Sequence, residues 1–388
     1  MRYRILCTPV LLAALLVAGP AHEAVAEGAV PSRAPVLTTV IDLPPVPGDW
    51  TTFAKDVDDQ GTVVGYSSRE FSLLPHRPAR WDHDGNVVDL GTIGGEDGEA
   101  LAIGPNAVAV GRSKTAAGQW HATRWACGRA EDLGTLPGGA DSTATAISPD
   151  GTVAGDSATA DPNVRRAVRW GRDGRIAALE SVPGSVGSWV EGFNANGIAY
   201  GGIRTASGSL AVVWSRSGRV SVLASLGANS AVNDVNRYGI AVGHSGGRPV
   251  RWNRDGAVTE LPGLSRPGGN VLAVTDDGTA TGVGYVVDPW VVSRPVRWDS
   301  QNRITDLGGF AGDQEGEGID INRHGTIVGA SGQASHRYGL TWAPDSPIAP
   351  LPAIPPTSHD GPIKITDTGY VIGWADRTLG IPRASLWH

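Results

Sequence analysis

Ala144-Thr145-Ala146-Ile147, Thr152-Val153-Ala154-Gly155 and Ala167-Val168-Arg169-Trp170 are three short apolar runs within residues 144–180. The turn between the first two contains Gly151, and a variable loop precedes the third. Asp173-Gly174 then leads to a fourth run ending at Leu179. Asp-Gly between apolar runs favours a tight hairpin, because both residues tolerate the backbone angles that primed turns require. The stretch therefore reads as four short antiparallel strands.

Working outward, the same pattern recurs along the chain. Trp falls at positions 81, 125, 170, 214, 252, 298, 342 and 387, most often 44 or 45 residues apart. Arg precedes five of these, at Arg80, Arg124, Arg169, Arg251 and Arg297. A Leu follows each of the first seven by eight or nine residues, from Leu90 to Leu351. An aliphatic or Phe column (Val57, Ile103, Ile147, Phe193, Val235, Val274, Ile321, Ile365) leads to a Gly four residues later in seven repeats. Four strands in roughly 45 residues match one blade of a β-propeller. The repeat Trp and Leu columns are expected to form the core, since a blade must bury its faces against its neighbours.

The eighth unit has Trp387 followed only by His388, so it lacks its Leu strand. Val40-Ile41-Asp42-Leu43-Pro44 resembles a Leu strand with no Trp strand before it. Pairing one with the other closes a ring and removes an exposed sheet edge. The expected fold is all-β: an eight-bladed propeller of four-stranded blades over residues 36–388, closed by the N-terminal strand. A linear solenoid would leave the split terminal unit unexplained.

Residues 1–26 read as a secretory signal peptide: Arg2 and Arg4, an apolar run from Ile5 to Val17, and Ala24-Val25-Ala26 before Glu27. Residues 27–35 form a short linker. The apolar run is too short to span a bilayer and no later segment is long enough, so a secreted, extracellular protein with no membrane span is expected. Export would leave Cys127 as the single cysteine of the mature chain.

The whole mature chain resembles the extracellular HAF repeat family of bacteria. The resemblance rests on His121-Ala122-Thr123-Arg124-Trp125, Glu131-Asp132-Leu133-Gly134-Thr135-Leu136-Pro137-Gly138-Gly139, Asp89-Leu90-Gly91-Thr92-Ile93-Gly94-Gly95 and Asp320-Ile321-Asn322-Arg323-His324-Gly325. Thr123 replaces the Phe of the family's His-Ala-Phe triplet. The resemblance implies export and repetition and carries over no catalytic residues.

The 388 residues include 54 Gly, 27 Pro and 13 Trp, with a formal net charge of −7. That balance provides no basic footprint for nucleic acid. Gly243-His244-Ser245-Gly246-Gly247 matches the nucleophile-elbow pattern, but that motif needs a parallel sheet, and the same slot recurs at Gly65-Tyr66-Ser67 and Gly155-Asp156-Ser157. Asp56-Val57-Asp58-Asp59-Gln60-Gly61 resembles a calcium loop but has Gln60 at the third ligand position. A plain turn is expected there, with no metal and no cofactor.

Five Trp lie outside the column: Trp50, Trp120, Trp189, Trp290 and Trp374. The strand order assigns Trp50 and Trp189 to blade-to-blade segments, and Trp120, Trp290 and Trp374 to second-to-third loops. All five then share one end of the ring, where variable loops on a rigid scaffold commonly bind and Trp is a frequent anchor. The expectation is a monomeric binding module, without catalytic residues, for a glycan, cell-wall polymer or protein. The alternative is a secreted glycan hydrolase or lyase using carboxylates from different blades near the axis.

Overall fold

The computed structural model describes residues 37–388 except 71–72, 311–312, 314, 334–335, 354–359 and 377–381. The proposed signal peptide and linker lie outside the described residues. Eight four-stranded antiparallel sheets follow one another around a ring. The third blade, for example, consists of Ser142–Ile147, Val153–Ala158, Arg165–Trp170 and Ile176–Ala178. The eighth combines Asp360–Ile365, Val371–Asp376 and Pro382–Trp387 with Val40–Asp42. Val40, Ile41 and Asp42 pair with Trp387, Leu386 and Ser385, so the ring closes as the split repeat implies. Among the described residues no helix is long and apolar enough to cross a membrane.

Six of the eight column Trp are fully buried, and Trp125 and Trp342 nearly so. Each packs beneath the outer strand of the preceding blade, and for six of them the indole N–H finds a fixed partner there. Trp252 Nε1 donates to Ala224 O at 2.6 Å, Trp81 to Pro44 O at 2.7 Å and Trp298 to Pro262 O at 2.9 Å. The acceptor is always the residue after the Leu-column position. This explains the Leu signature: Leu fills the inter-blade gap, and the carbonyl just past it caps the neighbouring Trp. In two blades the preceding Arg reaches the other way, Arg169 to Arg216 O of the fourth blade and Arg251 into the sixth, whereas Arg124 pairs with Glu131 of its own blade. Arg251, in the fifth blade, donates to Asn302 Oδ1 at 2.7 Å and Gly278 O at 2.6 Å in the sixth. The Arg251-Trp252 pair thus ties the fifth blade to both neighbours.

Every inner strand carries a bulge just before its aliphatic residue, as at Val232/Asp234 and Gly318/Asp320. The second strand answers with a glycine. A Cβ at Gly243 would stand 2.0 Å from Ala231 O, and one at Gly155 would stand 1.9 Å from Thr143 O. Two residues on, Ser245 is buried and its hydroxyl accepts from Leu226 N at 2.8 Å, while Ser157 does the same for Leu136 N at 2.9 Å. The Gly-x-Ser pattern is therefore a structural clamp between a blade and the segment entering it, with no strand-to-helix turn.

Candidate functional site

Antiparallel order gives the ring two unlike ends. First-to-second and third-to-fourth connections share the tight-turn end, and the other two sets share the loop end. At the tight-turn end the turns are closed by Asn and Asp side chains that accept from their own backbone. Asn236 Oδ1 accepts from Tyr238 N and Ile240 N, both at 3.0 Å, and its amide donates to Thr275 O of the next blade at 2.9 Å. Asp58 likewise accepts from Gln60 N and Thr62 N. Asp56 points elsewhere, to Ile103 N and the Lys364 ammonium. The two carboxylates of the calcium-like stretch thus diverge into separate structural roles.

Asp56, Asp234 and Asp320 occupy the same slot after the inner-strand bulge, and Lys364 fills it in the eighth blade. Each aspartate uses one oxygen for its own strand and the other for the next blade. Asp234 accepts from Val235 N at 2.7 Å and Val274 N at 2.9 Å, and Asp320 from Ile321 N and Ile365 N, both at 2.9 Å. All four side chains are partly accessible while ringed by protein. Burial, with the Asp320 charge adding to it, pushes the Asp234 carboxyl up to about 6. Burial raises Asp320 as well. Burial pulls the Lys364 ammonium down, but Asp56 and the other carboxylates more than offset this and hold it above its ordinary range.

The five non-column Trp separate into two kinds. Trp50, just ahead of the inner strand Thr51–Val57, is 66% exposed, and its backbone N–H is tied to Ser68 O at 2.9 Å. Trp290 is 79% exposed and opens the strand Trp290–Trp298, opposite Asp288. Trp120 is half-buried, with the Arg112 guanidinium 4.5 Å and the Lys114 ammonium 5.2 Å from its ring centre. The Trp189 ring lies on Gly202, and its indole N–H donates to Glu191 Oε1 at 2.6 Å. The Trp374 ring lies on Gly361.

The loop assignments need correction for four of the five. Trp189 lies within the inner strand Ser185–Phe193 and Trp374 within the second strand Val371–Asp376. Trp120 and Trp290 are the first residues of third strands. Several hairpins extend beyond the repeat minimum, so strand occupies positions that the shorter repeats assign to loop. Trp50 does sit in a blade-to-blade segment.

Residue-by-residue reading missed a polar network between the first two blades. His76 Nδ1 lies 2.9 Å from Glu99 Oε1, and Arg112 holds Glu99 Oε2 through Nε at 3.0 Å. Lys114 Nζ is 3.1 Å from Asp97 Oδ2, and Asp97 accepts from His76 N at 2.9 Å. Tyr66 stacks between Phe53 and His76, with ring centres 4.9 and 4.4 Å away. Burial and the Glu99 charge raise the Tyr66 phenol, while Glu99, despite its burial, is held below the ordinary range by His76 and Arg112. The scarcity of Lys was the available signal: of three in the chain, Lys114 pairs with a buried carboxylate and Lys364 with the axial Asp56.

No family model matches the chain, and no curated protein matches it in sequence. Solved structures do match. Dipeptidyl peptidase 4 from Porphyromonas gingivalis is 10% identical with a TM-score of 0.53, over 81% of this chain and 55% of that one. Puromycin hydrolase is 13% identical with a TM-score of 0.50, over 86% and 61%. Virginiamycin B lyase from Staphylococcus aureus is 11% identical with a TM-score of 0.45, over 90% and 98%. At these identities the likeness shows the fold alone. The chain is an eight-bladed β-propeller, a fold used by enzymes and binding proteins alike.

Proposed function

We propose that this protein is an exported, non-catalytic binding module that engages an extracellular glycan, cell-wall polymer or protein over its loop end. The observation that carries the reading is the exposure of Trp50 and Trp290 on a fold that buries every column Trp. Leaving two indoles in water gives up burial that this architecture readily supplies, and rigid aromatic surface at strand ends suits a binding anchor. Trp120, Trp189 and Trp374 flank this surface from packed positions. A hydrolase or lyase at the axis is the weaker reading, because each axial aspartate already accepts backbone N–H groups on both carboxylate oxygens. The export pattern of residues 1–26 and the HAF-like repeat support an extracellular setting.

The test is intrinsic Trp fluorescence titrated with soluble glycans and peptidoglycan fragments, repeated in Trp50→Ala and Trp290→Ala. Saturable change that either substitution abolishes, at unchanged melting temperature, supports the loop-end site. Binding that survives both substitutions removes it.

A further inference from the structure

At the tight-turn end, away from the exposed Trp, the cleft between the fourth and fifth blades has an unusual charge balance. Its floor is apolar, from Ile198, Val213 and Val235, and its walls carry Arg216, Arg237 and Arg254 beside Tyr238. No carboxylate lines it. In a chain of net charge −7 this is not the general rule. The cleft between the second and third blades sets its arginines, Arg172 among them, against Glu131 and Asp150, and another near the first blade sets Arg69 and Arg77 against Asp49 and Asp89.

The guanidinium groups also have spare donors. Arg254 makes no hydrogen bond or ion pair among the described residues. Arg216 hydrogen-bonds only through Nε, to Asn196 O at 2.6 Å, although Asp150 shares the adjoining groove with it and feels its charge. Arg237 spends Nε on Asp276 Oδ2 at 2.5 Å. Tyr238 is 61% exposed while its backbone N–H is pinned to Asn236, so the ring stands on a rigid turn.

Arg216 and Arg254 belong to a row. Arg172, Arg216 and Arg254 each stand two residues after a column Trp, in three successive blades. Each lies against the bare Cα of a turn glycine from the same blade: Gly151, Gly197 and Gly239, where an added Cβ would meet the Arg side chain at 3.9, 3.4 and 3.3 Å. The four other repeats that have the slot carry His83, Cys127, Ser300 and Pro344 there. Planar guanidinium forks match carboxylate geometry, and an aromatic ring with an apolar floor suits the C–H face of a sugar. A row repeated blade by blade suits a polymer that repeats its charge.

We propose that the Arg172–Arg216–Arg254 row with Tyr238 is a binding track for an acidic polysaccharide bearing carboxylates on successive sugars. The track shares no residue with the loop-end site, so either can fail alone.

The test titrates the whole chain, by calorimetry, with a galacturonate oligomer, a neutral malto-oligosaccharide of equal length, and polyglutamate. The expected result is saturable binding of the galacturonate oligomer that weakens as salt rises, with little for the neutral sugar. Arg254→Gln and Tyr238→Ala should each weaken it by about tenfold or more, while melting stays unchanged because both side chains are exposed. Galacturonate binding at full strength in an Arg172→Gln, Arg216→Gln, Arg254→Gln triple variant overturns the track. Polyglutamate binding as tightly, with Tyr238→Ala neutral for both polymers, overturns the sugar and leaves a bare anion surface.

Discussion

Trp290 and Trp298 begin and end one strand, yet the first is 79% exposed and the second wholly buried. Trp298 fills the gap under the fifth blade and donates its indole N–H to Pro262 O. Trp290 sits past the point where the outer strand Ile304–Asp306 pairs, on a hairpin longer than that of the fifth blade, Ala241–Ser245 with Arg248–Trp252. The same residue type on the same strand is thus scaffold at one end and free surface at the other. What separates them is the presence of a neighbouring blade to pack against.

The strongest way to break that contrast is truncation at each end. Trp298→Ala should cost about 3–5 kcal/mol in chemical denaturation, since it empties a site that cannot collapse without moving a blade. Leu43→Ala should cost about 2–4 kcal/mol, because Leu43 is fully buried at the closure of the ring. A near-neutral Leu43→Ala would mean the closing strand contributes little. Next in size, Gly243→Ala should cost about 1–3 kcal/mol, as the added carbon would stand 2.0 Å from a backbone oxygen that the bulge holds in place.

A finer comparison separates burial from hydrogen bonding. Trp170 Nε1 is buried without a partner, whereas Trp252 Nε1 has Ala224 O. Trp252→Phe should therefore be worse than Trp170→Phe by about 1 kcal/mol, and equal losses would show that the inter-blade bond is energetically idle. The axial Asp234 extends the comparison to charge. Its folded value near 6 lies above the ordinary 3.8, so the fold favours the protonated form. That stabilisation is complete below the ordinary value and is lost as pH rises through about 6. Melting temperature followed across that window should fall less steeply in Asp234→Asn than in the parent chain. The smallest effect belongs to Trp290→Ala, expected to shift stability by less than about 0.5 kcal/mol. A loss approaching that of Trp298→Ala would turn the exposed indole into a packing residue.

Much of the architecture could be read from residue spacing. The Trp, Leu and aliphatic columns, and the split repeat joining Val40–Asp42 to Trp387, led directly to the ring. The Gly-x-Ser slot was recognisable as a repeat feature, but its purpose was not, because the bulge it accommodates leaves no mark in composition. The site was less legible. Trp189 and Trp374 pack on Gly202 and Gly361 across a strand pair, and hairpin length alone decides that. Glu99 and Arg112 face each other across one hairpin of the second blade, but His76 of the first blade meets them only because consecutive blades stack.

By itself the sequence determined what each blade is: four strands, the turn chemistry between them and the large side chains that face a neighbour. These are local periodicities, and every repeat carries its own copy. Only the tertiary structure decided which Trp stay in water, where the axial aspartates spend their oxygens and that Arg172, Arg216 and Arg254 form a row without carboxylates in the cleft between the last two. Those properties depend on the register of one blade against the next. Each repeat restates its own strands, and the gap between two repeats takes its shape only when the ring closes.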